Sequence, residues 1–203
     1  MLIEPLSKST EEGAIRVLAT SFHEYPFLSR VFADEELPRH EMLHELFGVS
    51  VGFRVACGQP GFVAIEQGVV IGAATVVLPE AEGFPPEFEQ RWKAMEAKMS
   101  ANGRNLFEAY DQVQDETRPK EPHLYVAAIG VSADAQGRGV GKSLLSRVHE
   151  LSASLPGVRG VALDTHDEAN VPKYLKLGFE LIAERDLLGM PNWYFWNQGS
   201  AGE

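Results

Sequence analysis

Cysteine, positive charge and long apolar runs are all scarce in this sequence. Cys57 is the only cysteine in 203 residues, so no internal disulfide can form. That suits a reducing compartment, and a cytoplasmic location is expected. Its surroundings, FRVACG, are apolar, which favours a small buried side chain over a nucleophile. Lys and Arg number 18 against 29 Asp and Glu, giving a formal net charge of -11. This excludes broad nucleic-acid binding and mildly favours cationic or neutral small substrates. The longest apolar run, VVIGAATVVL over residues 69–78, is too short to cross a bilayer and reads as a strand. The opening MLIEPLSKSTEEG has neither a basic region nor an apolar core, so neither a signal peptide nor a membrane partner is expected.

What is present is an ordinary globular composition, 44% hydrophobic and 23% charged, enough to bury a core without staples. A single domain over residues 1–203 is expected. MLIEPL reads as a short strand. STEEGAIRVLATSFHEYP reads as a helix capped by Ser9 or Thr10, with Ile15, Leu18, Ala19 and Phe22 on one face, ending before Pro26. LPRHEMLHELFGVSVGFRVAC is a second helix, broken by Gly58-Gln59-Pro60-Gly61. GFVAIEQ and VVIGAATVVLPE form a hairpin about Gly68. PPEFEQRWKAMEAKMSANG and RNLFEAYDQVQDE read as paired helices separated by Asn102-Gly103. The remainder alternates: strand HLYVAAIGV, a glycine loop, helix KSLLSRVHELSASL, strand VRGVALDT, short helix NVPKYLKLG, then strands FELIAERDL and NWYFW.

Chemistry concentrates in QGRGVGKS, residues 136–143, between a strand and a helix. Glycines at such a turn let backbone N–H groups converge, and the helix N-terminus adds partial positive charge. An anion such as a phosphate is the natural guest. Arg138, Lys142 and Arg147 are basic, and no acid interrupts them. A Walker A loop needs a glycine where Gln136 stands, although GVALD ending in Asp164 imitates a Walker B strand. A dinucleotide fingerprint from Gly137 and Gly139 needs its third glycine where Lys142 stands. The stretch H-E-M-L-H from His40 to His44 matches a zinc-binding helix with Glu41 as base. A solvated helix face is the expected reading, and no metal is expected.

Gln136-Gly137-Arg138-Gly139-Val140-Gly141, preceded by AIGVSADA, resembles the acetyl-CoA loop of the GNAT superfamily of N-acetyltransferases. DEANVPKYLKLGFELI resembles the family's second block, with Tyr174 four residues before Gly178. The two blocks cover roughly the last 80 residues. HLYVAAIGV, LDT…NVPKY and ATSFHEYP are similar to the puromycin N-acetyltransferase branch in particular. There are departures: Asp167, not asparagine, lies seven residues before Tyr174, Asn170 lies four before it, and Lys173 stands where an apolar or aromatic residue is expected.

The resemblance implies an α/β fold on a mixed sheet of six or seven strands, with HLYVAAIGV and RGVALDT splayed around the cofactor. It also implies an acceptor side over residues 1–120 and an acetyl-CoA core over 121–203. The implied activity is direct transfer of acetyl from acetyl-CoA to an amine of a small molecule. A non-catalytic acyl-CoA-binding module is the alternative, and either a monomer or a homodimer fits. Backbone N–H groups of Arg138, Gly139, Val140, Gly141, Lys142 and Ser143 are expected to hold the pyrophosphate. The edge at Ile129 and Val131 should pair with the pantetheine arm, Asn170 should hydrogen-bond the arm or the adenine side, and Tyr174 should protonate the departing thiolate. The base stays open among His123, Tyr125, Glu121 and His23-Glu24-Tyr25. Phe22, Tyr25, Phe27, Phe107 and Tyr110 are candidate acceptor walls, while His149 and His166 read as solvated.

Overall fold

The computed structural model describes residues 1–33, 37–79 and 83–199. Seven strands form one mixed sheet in the order β1-β2-β3-β4-β5-β7-β6. The strands are β1 (Leu2–Pro5), β2 (Gly61–Glu66), β3 (Val69–Val77), β4 (Leu124–Val131), β5 (Gly160–Thr165), β6 (Glu180–Asp186) and β7 (Pro191–Gln198). The helices are α1 (Glu11–Ser21), α2 (Pro26–Val31), α3 (Arg39–Ala56), α4 (Pro86–Glu96), α5 (Ala101–Thr117), α6 (Val140–Ser154) and α7 (Val171–Lys176). No helix among the described residues is long and apolar enough to cross a membrane.

The sheet has an apolar core on each face. Ile15, Leu18, Phe27, Leu43 and Leu106 gather on the side of α1, α2, α3 and α5. Val140, Leu144, Leu145 and Val148 of α6 pack with Leu163, Phe179 and Phe195 on the other. Each such side chain contributes about 1.5–3 kcal/mol of burial, which fixes α6 against the sheet. Close approach is possible because Gly72 on β3 has no side chain: a Cβ there would lie 2.7 Å from Val140 Cγ1.

Two local features open the sheet. The parallel pairing of β4 with β5 is confined to Leu124↔Val161 and Tyr125↔Ala162. Directly after it, the β3–β4 register slips between Thr75 and Val76, which pair with Ala128 and Val126. Ala127 is thus the extra residue of a β-bulge, which bends its strand. Beyond Tyr125, β4 stays with β3 through Gly72↔Val131, whereas β5 stays with β7 through Thr165↔Trp193. The expected splayed pair is therefore present, with a bulge at its fork.

Three expectations need correction. The first helix ends before Pro26, as expected, but a further short helix, α2, not expected from the sequence, begins there, because proline at a first helical position loses no helical hydrogen bond. Asn102-Gly103 does not end α4 but lies in the first turn of α5, whose Ser100 cap accepts from Gly103 N at 3.0 Å. Cys57 is exposed at the C-cap of α3, beyond the last buried turn.

Candidate active site

A cavity of about 1100 Å³ runs through the fork between β4 and β5. One end is lined by the glycine loop and the start of α6, the other by aromatic side chains of the N-terminal helices.

At the loop end, Gly137 and Gly139 have φ of 74° and 80°. A Cβ on either would meet nothing within 4 Å, so the backbone faces open space. Gly139 is the N-cap of α6 and supplies no side-chain cap, which leaves first-turn N–H groups available to an anion. Gln136 Nε2 donates to Val131 O at 3.3 Å, tying the loop to the end of β4. Ile129, Val131, Gln136, Gly137, Gly139, Val140, Gly141 and Lys142 all line the cavity. Arg138 and Ser143 do not: the Arg138 guanidinium pairs with Glu66 at 2.7 Å, and Ser143 Oγ donates to Gly139 O at 3.2 Å. Arg147 pairs with Glu150, so Lys142 is the one of the three loop cations that lines the cavity. The uninterrupted basic run in the sequence is offset by glutamates from β2 and from α6 itself.

At the fork, Asn170 Nδ2 donates to Thr165 Oγ1 at 3.3 Å, and Asn170 Oδ1 accepts from Lys173 Nζ at 2.9 Å. Asp167, the alternative position, accepts from Ala169 N at 3.0 Å and so caps the short turn before α7. The Tyr174 ring packs on Phe195 at 5.4 Å and Phe179 at 6.0 Å. Its hydroxyl bonds no protein group among the described residues. Burial first, then the charges of Asp164 and Asp167, push its pKa up, so it stays protonated.

A buried polar cluster stands beside it. Asp164 Oδ1 accepts from Tyr110 OH at 3.0 Å, from Gln114 Nε2 at 3.2 Å and from Tyr125 OH. Gln114 Nε2 also donates to Tyr125 OH at 2.6 Å, and Arg118 lies over the Tyr125 ring at 3.8 Å. Burial raises the Asp164 pKa even against these donors. Burial and the Asp164 charge raise Tyr110 and Tyr125 well above 10. Tyr25 OH accepts from His166 N at 2.8 Å.

His166 is 4% exposed, not solvated, and its ring stacks on Phe27 at 4.8 Å. Burial lowers it to about 3, Nε2 has no partner among the described residues, and Nδ1 lies 3.9 Å from Asp164 Oδ2. His149 is half-buried against Phe179 rather than solvated. Of the open base candidates, Tyr125, Tyr25 and Glu24 line the cavity. His123 does not: its Nδ1 bonds Glu121 O at 2.7 Å and its ring meets Trp196. Glu121 is exposed, and His23 pairs with Glu24 at 2.7 Å.

All five expected wall residues line the aromatic end of the cavity. Sequence reading missed Phe47, Phe53, Phe84 and Trp92, and it missed Gln114, Arg118 and Arg54. The available signal was a lone charge in an apolar run: Asp164 in GVALDT and Arg54 in GFRVAC. His40 and His44 are exposed on α3, and His44 Nε2 sits 3.4 Å from Glu12. Among the described residues no three His, Cys, Asp or Glu side chains gather as a metal site.

Solved structures share this architecture. A protein described as histone acetyltransferase HPA2 and related acetyltransferase, from Corynebacterium glutamicum, superposes with a TM-score of 0.72 at 19% identity, over 98% of this chain and 97% of that one. An agmatine N-acetyltransferase variant in its apo form gives 0.65 at 19% identity, over 97% and 98%. NAA60 of Arabidopsis thaliana, solved with acetyl-CoA, gives 0.53 at 16% identity, over 97% of each. At these identities the likeness concerns the fold. The family model described as Acetyltransferase (GNAT) family matches residues 21–179, and the chain belongs to that family of acetyltransferases.

Proposed function

We propose that this enzyme transfers the acetyl group of acetyl-CoA directly to an amine of a small molecule. The observation that carries the reading is the single cavity joining an uncapped, glycine-fronted helix N-terminus to an aromatic chamber across the β4–β5 fork. Acetyl-CoA supplies an activated thioester. Backbone N–H groups of Gly139, Val140, Gly141 and Lys142 hold its pyrophosphate, helped by the Lys142 side chain. Arg138 and Ser143, expected to share the task, stay outside the cavity, and the Ser143 N–H is bonded to Gly139 O at 3.0 Å. The β4 edge at Ile129 and Val131 has no β5 partner and is free to bond the pantetheine arm. A main-chain N–H beyond the Ala127 bulge polarises the acetyl oxygen. Asn170 bonds the arm, exchanging its Lys173 contact for the ligand.

Tyr174 protonates the departing thiolate. Its unpartnered hydroxyl remains protonated at neutral pH, which a general acid requires. Tyr125 and Tyr110, bound to Asp164, receive the amine, and its proton leaves through water beside them. The branch resemblance to puromycin N-acetyltransferase supports a small amine as acceptor, as does an aromatic chamber walled by Phe22, Phe27 and Phe107. Thiol release from acetyl-CoA, measured across a panel of small amines and peptide N-termini, tests the reading. Acetylation of small amines is expected. Turnover confined to peptides would replace the acceptor class, and no turnover with any amine would end the proposal.

A further inference from the structure

Arg54 is not accounted for by the transfer machinery. It lies in the buried part of α3 and is 6% exposed, yet it lines the cavity with Ser50, Phe53, Phe84 and Trp92. Its Nε donates to Val76 O at 3.3 Å, and its Nη1 donates to Ser50 O at 2.7 Å and Ser50 Oγ at 2.9 Å. All three acceptors are neutral. Nη2 donates to no protein group, and no carboxylate pairs with the guanidinium, among the described residues.

A buried cation without a counter-charge is unfavourable, and burial alone lowers Arg54 to about 10. Among the described residues none of the chain's 29 acids pairs with it. Tying α3 to the end of β3 needs donors but not a charge. A planar fork with a spare edge fits a carboxylate. Val76 and Val77 pair with Val126 and Tyr125, so this fork lies on the acceptor side of the transfer point.

We propose that Arg54 binds a carboxylate of the acceptor, making the substrate an amino acid or related aminocarboxylate with an apolar or aromatic body. The idea rests on the acetyl-transfer reading above. Asp164 and the tyrosines attract the amine, Arg54 holds the carboxylate, and Phe53, Phe84 and Trp92 enclose what lies between. The reaction forms the N–C bond of an N-acetyl aminocarboxylate and breaks the C–S bond of acetyl-CoA. The amine loses one proton and the thiolate gains one, so no other reactant is needed.

The test uses wild-type protein with matched sets: an aromatic amino acid, its methyl ester and its decarboxylated amine, plus ω-amino acids of increasing length. Carboxylates are expected to exceed their esters and amines at least tenfold in kcat/KM. In Arg54→Met that ratio should fall toward one, and in Arg54→Lys it should fall part way. Equal or better turnover of ester and amine by the wild type would overturn the proposal, and that comparison needs no variant to fold. Calorimetric titration of acid against ester is read independently of turnover. If acetyl-CoA binds but no amine is acetylated, the transfer reading fails. A carboxylate preference in the titration that is lost in Arg54→Met then still supports the anion site, and equal binding of acid and ester refutes it.

Discussion

Burial acts on Tyr174 and His166 in the same sense, toward the neutral form, but the two rings differ in what their polar atoms meet. The Tyr174 hydroxyl is unpaired among the described residues and lines the cavity, so it is available to a leaving thiolate. Tyr174→Phe keeps the packing on Phe179 and Phe195 and removes only the hydroxyl. Turnover should drop about a hundredfold or more, while acetyl-CoA binding by calorimetry stays within a factor of about two. Unchanged turnover would remove Tyr174 from the mechanism.

His166 is held neutral against Phe27. Unfolded, it protonates near 6.5, whereas folded it waits until about 3. Between these values the unfolded state binds the extra proton, so stability is full above 6.5 and falls as pH falls. Asp164 works oppositely, since its raised pKa lets the folded state take up a proton first. Comparison with His166→Phe isolates the histidine: urea unfolding at about pH 5 should cost wild type about 2 kcal/mol more, relative to pH 7.5, than it costs the variant. An equal loss in both proteins would show that His166 is not the source. At this scale the glycines were legible in the sequence, because a positive φ is a local demand. The Asp164 cluster was not, because Asp164 on β5 lies 39 to 54 positions along the chain from the Tyr125, Gln114 and Tyr110 side chains of β4 and α5 that meet it.

Among the elements, the β4–loop–α6 unit is the part the sequence revealed most fully. Its strand, glycine punctuation and inward leucines each follow from short-range rules. The charge of the loop did not follow, because Glu66 reaches Arg138 from β2, 72 positions away. The bulge at Ala127 was also hidden, since it exists only as a register slip against β3. The unit can be tested by a pair of substitutions. Gly139→Ala and Gly58→Ala both place a Cβ on a residue with positive φ, 80° and 63°, with nothing within 4 Å. Each should lose about 1 kcal/mol of stability in urea unfolding. Only Gly139 lines the cavity. Gly139→Ala should therefore weaken acetyl-CoA binding at least tenfold, whereas Gly58→Ala leaves it unchanged. Equal effects would mean that backbone strain, not access to the helix N-terminus, governs affinity.

For the whole molecule, the sheet behaves as two half-sheets, β1–β4 and β5–β7, joined by two paired positions at the fork. Sequence alone indicated the splayed strands through family resemblance and five walls of the aromatic chamber, but not Phe47, Phe53, Phe84 or Trp92. That chamber takes side chains from five helices whose relative placement depends on tertiary packing. A ligand that lies between β4 and β5 contacts both halves and adds contacts where the sheet has few. It therefore binds the folded state alone and raises its stability by about 2.7 kcal/mol at a hundredfold excess over Kd. For a chain of this size the melting temperature should rise by about 5–10 °C with acetyl-CoA. ATP offers phosphates to the same helix N-terminus but has no arm to pair with the β4 edge, so its shift should be much smaller. A larger shift with ATP than with acetyl-CoA would mean that the loop serves a nucleotide, and the acetyl donor would have to be abandoned. Desulfo-CoA, which keeps both phosphates and arm but cannot react, should match acetyl-CoA closely if the fork and not the thioester supplies the stabilisation.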